Sequence, residues 1–101
     1  LVRSRGLGDV YKRQVYNAIM YHTTGKPDMT LLEKIIYLAD YIEPTRDFPG
    51  VEALRRTVYE DLDRGLLMGL TMTIDEMEEM GNPVHYMTRD ARDYLMKRGI
   101  S

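Results

Sequence analysis

From Thr30 to Pro44 the chain carries one helix written out from start to stop. Thr30-Leu-Leu-Glu33 is a capping box: the Thr30 hydroxyl accepts from a backbone N–H while the Glu33 carboxylate reaches back to the N–H of Thr30. Apolar residues recur at Leu31, Leu32, Ile35, Ile36, Leu38, Ala39 and Ile42, a helical period with one broad buried face. Pro44 disfavours the helical conformation at Glu43, so the helix ends there. A segment of this kind needs other apolar elements to cover it, and the remaining sequence offers only helical patterns.

Val15–Tyr21 reads as the last turns of a helix, terminated by Gly25 and Pro27. Thr45–Gly50 is a loop with two turn formers. A helical segment is expected from Val51 through Val58, and a longer one from about Asp61 to Met80, with Leu62, Leu66, Leu67, Leu70, Ile74 and Met77 at helical spacing. Tyr59–Asp63 suits either a continuous helix or a break. Gly65 and Gly69 weaken the helix locally but permit close helix–helix approach. Thr88 is the expected cap of a last helix, Arg89–Arg98, closed by Gly99. The expected fold class is therefore all-α, in one small domain.

The first fourteen residues stand apart, with no apolar period and no cap. Ser4–Gln14 (SRGLGDVYKRQ) resembles a translated transposon-end sequencing adapter over eleven consecutive residues. Its last six residues back-translate to GAT GTG TAT AAG AGA CAG, the end of that adapter. Residues 1–14 are accordingly expected to be an artefact without a fold, and residues 15–101 to be the C-terminal part of one domain. The alternative is a basic arm that binds nucleic acid or membrane. Those fourteen residues hold four basic side chains and one acidic, so setting them aside moves the net charge from −2 to −5. An acidic remainder argues against a nucleic-acid polymer as partner. No apolar run is long enough to span a membrane. With no cysteine, disulfides and thiolate metal sites are excluded, and a cytoplasmic setting is expected.

Two residues invite chemistry. Asp40 lies one helical turn after Ile36, beside the apolar stripe. Burying a carboxylate there is costly unless a metal ion or an arginine pairs with it; otherwise Asp40 edges the stripe and reaches water or Arg46. His22, in Tyr-His-Thr-Thr-Gly25, is a metal ligand or general base by type, or a cation offsetting a helix end. His22 and His85 are the chain's two histidines, without His-x-x-x-His spacing, so this chain alone builds no conventional metal-hydrolase centre. Arg46 suits a phosphate clamp or a salt bridge to Glu43 or Asp47. Thr23 and Thr24 offer hydroxyls beside His22, and Lys26 and Lys34 are open in the same way. Asp75, Glu76, Glu78 and Glu79 read as a solvated helix face. Met68, Met72, Met77, Met80 and Met87 read as core filler.

The strings "YHTTG" (residues 21–25), "LEKIIYLADYIEP" (residues 32–44) and "FPGVE" (residues 48–52), in that order and spacing, resemble the YqeK family of HD-domain phosphohydrolases. The weaker "TRDARDYL" from Thr88 to Leu95 fits the family's C-terminal helices, and His85-Tyr86 departs from the usual His-Pro there. The resemblance covers about residues 15–98. It implies an HD-domain helical fold, truncated here at the N-terminus, with a two-metal centre of divalent ions, usually iron, with manganese or cobalt as alternatives. By that resemblance Asp40 matches the last aspartate ligand and His22 one of the later histidines; the other ligands would lie upstream of Val15. The implied reaction is symmetrical hydrolysis of diadenosine tetraphosphate to two ADP, the metals offsetting phosphate charge and activating water. Asp40 and His22 are then the catalytic metal ligands, and Arg46, Thr23 and Thr24 the substrate-binding residues; the role of Arg46 follows from its position.

The implied partner is a small dinucleoside polyphosphate, and homo-oligomerisation stays open. Two other readings are an HD phosphohydrolase acting on another nucleotide and a non-catalytic helical interaction module. As it stands, the chain is expected to be inactive alone, with an apolar face of the Leu31–Ile42 helix partly uncovered.

Overall fold

The computed structural model describes residues 12–100, and every regular element among them is helical. Residues 12–20 form α1, followed by α2 (Leu31–Ile42), α3 (Val51–Glu60), α4 (Leu62–Glu79) and α5 (Tyr86–Lys97). Most of the artefact expected at the N-terminus, residues 1–11, lies outside the described residues. Residues 12–14, set aside with it, continue α1 by three exposed positions ahead of Val15.

The capping box forms as written: Glu33 N donates to Thr30 Oγ1 at 3.2 Å and Thr30 N to Glu33 Oε1 at 2.8 Å. Glu33 is also buried, its second oxygen 3.2 Å from Lys26 Nζ, so the cap doubles as an anchor for the α1–α2 connection. At the other end Glu43 is extended ahead of Pro44.

Between α3 and α4 the chain breaks at Asp61. This extended residue ends one helix by donating its N–H to Thr57 O at 2.9 Å. It starts the next by accepting from Asp63 N and Arg64 N at 3.1 and 3.2 Å. The last helix starts earlier than its threonine suggests. His85 Nδ1 accepts from Met87 N at 3.1 Å and fills the cap position, which leaves Thr88 buried in the first turn.

Helix α4 is the axis of the molecule and touches α2, α3 and α5. Leu66, Leu70 and Ile74, four residues apart along it, are all buried. Tyr37 and Leu38 of α2, Leu54 of α3 and Ala91 and Leu95 of α5 are buried with them. The glycines do as expected. A Cβ on Gly65 would sit 2.7 Å from Val58 Cα and 2.5 Å from Val58 Cγ2, so α3 crosses α4 almost backbone to backbone. The corresponding Cβ on Gly69 would meet Leu38 Cδ2 at 3.2 Å, where α2 crosses.

The methionines named above fill less of the core than expected. Met68, Met72, Met77 and Met87 are half-buried and Met80, just past the end of α4, is exposed; Met68 and Met72 stand two positions after Leu66 and Leu70, on another side of the helix, and the buried methionine is Met29. Leu31 and Ile35 of α2 are exposed, as are Tyr16, Ile19 and Met20 of α1. No helix among the described residues is long and apolar enough to cross a membrane.

Candidate functional site

Four elements converge on a cavity of about 860 Å³. The turn after α1 contributes His22 and Thr23, the end of α2 Asp40 and Tyr41, and the α2–α3 loop Arg46, Asp47 and Phe48. The last turns of α4 contribute Met72, Asp75, Glu76 and Glu79. Of the five candidate site residues, His22, Thr23, Asp40 and Arg46 thus share one cavity. Thr24 does not line it; its hydroxyl donates to Gly25 O at 2.9 Å and serves the turn.

Asp40 edges the apolar stripe instead of being buried in it. Its side chain is 63% exposed and pairs with Arg46, whose Nη2 lies 3.3 Å from Asp40 Oδ1. Arg46 Nε also donates to the Asp40 carbonyl at 3.0 Å, and Glu43 Oε1 is 3.9 Å from the same nitrogen. The arginine therefore returns to the end of the helix that the chain has just left. An exposed pair of this kind contributes roughly 0–1 kcal/mol to stability, so its geometry matters more than its energy.

His22 is held through its ring. Nδ1 donates to the Ile19 carbonyl, which can only accept, so Nδ1 carries a proton, and in the neutral imidazole it is Nε2 that presents a lone pair. That lone pair faces the Thr23 hydroxyl at 3.3 Å. A histidine ligand is usually oriented in this way, with the far nitrogen tied to a backbone carbonyl. Among the described residues, however, no three His, Cys, Asp or Glu side chains converge well enough to hold a metal. His22 and Asp40 are two suitable donors on one cavity, too few for a centre by themselves.

Two features of the cavity had no clear signal in the sequence. One wall is apolar, formed by Tyr41, Phe48, Pro49 and Met72, with the Tyr41 and Phe48 rings edge-to-face at 6.3 Å. Tyr41 is fixed by a hydrogen bond to Thr73, which also meets Tyr37 at 3.3 Å. Burial pushes the Tyr37 phenol well above its ordinary pKa, against the opposing pull of the Thr73 hydrogen bond. The lining is also acidic: Asp75, Glu76 and Glu79 from the helix face read as solvated join Asp40 and Asp47 around the cavity. Lys26 and Lys34 are engaged elsewhere, with Glu33 and with Asp63.

No protein-family model matches the chain. It is 45% identical over 75 residues to the symmetrical bis(5'-nucleosyl)-tetraphosphatase of Bacillus subtilis and 49% identical over 71 residues to that of Halalkalibacterium halodurans. These matches take in 74% and 70% of this chain, and 40% and 38% of the relatives. A Staphylococcus aureus protein of the same name is 39% identical over 83 residues. The chain thus spans about two-fifths of the length of the curated relatives it matches. Its fold superposes with a TM-score of 0.82, at 53% identity, on a Clostridium acetobutylicum protein described as a predicted HD superfamily hydrolase involved in NAD metabolism. That match covers 84% of this chain and 45% of the other. Over the part it shares with them, this all-α chain is a homologue of the symmetrical bis(5'-nucleosyl)-tetraphosphatases and has the fold of an HD superfamily hydrolase.

Proposed function

We propose that this chain supplies one side of the active site of a metal-dependent hydrolase that splits diadenosine tetraphosphate symmetrically into two ADP. The observation that carries the reading is the convergence of His22, Asp40 and Arg46 on one cavity, in a chain whose relatives bear that activity in their names. His22 Nε2 and the Asp40 carboxylate are this segment's donors to a divalent centre, with iron first and manganese or cobalt next. Such a centre supplies charge neutralisation and an activated water near neutral pH.

The chain's own charges favour a cation-dependent site. Asp40, Asp47, Asp75, Glu76 and Glu79 outnumber the single guanidinium of Arg46 around the cavity, so a bare polyphosphate is repelled unless cations accompany it. Arg46, with five N–H donors in a fixed fork, can bind a phosphate bidentately once released from Asp40. Thr23 supplies a hydroxyl beside His22, while Thr24, turned into its own loop, is the weaker candidate. A cytoplasmic setting fits such a substrate.

The test joins residues 15–100 to the part of the relatives' length that this chain does not span. Cleavage of diadenosine tetraphosphate is then measured with iron, manganese or cobalt. Asp40→Asn should lower the rate by roughly 100-fold, the scale of loss for a disabled catalytic group. Full activity in that variant would remove the assignment, and a preference for another nucleotide would keep the site but change the substrate.

A further inference from the structure

Helix α2 ends in an awkward state. Its last carbonyls lack partners within the helix, its last turn contains no basic residue, and Asp40 adds a carboxylate at the negative end of the helix dipole. Two arginines from outside the helix answer this. Arg46 holds the Asp40 carbonyl and carboxylate. Arg55, on α3, reaches across with three further bonds: Nε to Ile42 O at 3.1 Å, and Nη2 to Glu43 O at 2.8 Å and to Arg46 O at 2.9 Å. Its remaining nitrogen meets Glu52 Oε1 at 2.5 Å, which fixes the guanidinium from behind. The Arg55 side chain is 25% exposed, against 50% for Arg46, so it is the more firmly seated of the two.

We infer that Arg55 is a positioning residue for the Asp40–Arg46 pair. By gripping the carbonyls of Ile42, Glu43 and Arg46 at once, it fixes the turn that brings the Arg46 side chain back over Asp40. Its importance for function rests on the reading of that pair as facing substrate; its grip on the loop does not. A lysine at this position keeps the charge but has no planar fork to span three carbonyls.

The experiment uses this chain, isotopically labelled, without ligand. Hydrogen exchange is followed by NMR at Arg46 Nε–H, which donates to Asp40 O, and at the Arg46 amide, which donates to Glu43 O at 3.0 Å. In Arg55→Gln both should exchange about tenfold faster or more, the scale expected when charge-assisted bonds are lost, with Arg55→Lys intermediate. Amides in the middle of α4 should keep their protection in both variants. Unchanged exchange at Arg46 in a folded variant would overturn the proposal. So would an acceleration spread evenly into α4, which marks a merely structural role. If Arg55→Gln does not fold, Arg55→Lys is judged by the same two comparisons. With no ligand added, failure of the hydrolase reading leaves this result intact, and the reverse also holds.

Discussion

Replacing Gly65 with alanine pits two effects of known size against each other. Alanine is the better helix former, by about 1 kcal/mol in a helix interior. Its methyl, however, would sit 2.7 Å from Val58 Cα and 2.9 Å from Val58 N, atoms that cannot move unless α3 moves. Overpacking against side chains costs ~1–3 kcal/mol, and a backbone obstacle belongs at or above the top of that range. Gly69→Ala is the matched control: same helix, same gain in propensity, but its nearest obstacle is the tip of Leu38 at 3.2 Å. Subtracting one variant from the other cancels propensity and leaves the close approach, expected at about 2 kcal/mol or more. For a domain this size that is a gap of roughly 8–16 °C in Tm, readable by circular dichroism. Trimming Val58 to alanine as well removes the Cγ2 contact but leaves the backbone one, so recovery should be partial. Equal melting of Gly65→Ala and Gly69→Ala, within about 2 °C, would refute the argument.

Asp61→Ala removes the acceptor for two N–H groups at the start of α4 and should cost about 1 kcal/mol in urea unfolding; a loss under ~0.3 kcal/mol would mean water replaces the cap. Because the Tyr37 pKa is raised in the fold, the native state keeps a proton that the unfolded chain releases above its ordinary pKa of 10.0. Tyr37 therefore adds stability that is fully present below pH 10.0 and declines as pH climbs beyond it; Tyr37→Phe should flatten this alkaline limb, and an unaltered limb would assign it elsewhere. Leu31 and Ile35, exposed one turn apart on α2, should drive self-association in sedimentation experiments, and Leu31→Lys with Ile35→Lys should reduce it. A monodisperse, cooperatively melting monomer before any substitution would count against that.

How much could be read from the sequence depended on how local the determining interaction is. The Thr30–Glu33 box and Pro44 act within a few residues of themselves, so α2 was legible from end to end. Asp61 was ambiguous because its neighbours favour helix on both sides, and the break depends on one carboxylate choosing two nearby N–H groups. His85 took the cap ahead of Thr88 because an imidazole nitrogen can accept as a hydroxyl does, a role its residue type seldom advertises. For Asp40, the apolar period located the residue but not its exposure, since a residue at the border of a stripe turns inward or outward according to what packs beside it. Arg46 was already among its named partners. The grip of Arg55 on the loop had no signal: apart from Glu52, its acceptors are backbone carbonyls nine to thirteen residues upstream, and a carbonyl looks the same in every residue.

The single-residue junction at Asp61 leaves the chain no slack. With α3 ending at Glu60 and α4 starting at Leu62, the azimuth of the long helix is inherited directly from its predecessor. One residue inserted there would part the cap that ends α3 from the cap that starts α4, both now supplied by Asp61, and shift Leu66, Leu70 and Ile74 off their neighbours. It would also carry Asp75, Glu76 and Glu79 away from the loop they face, so the length of this joint governs the packing and the mouth of the cavity together.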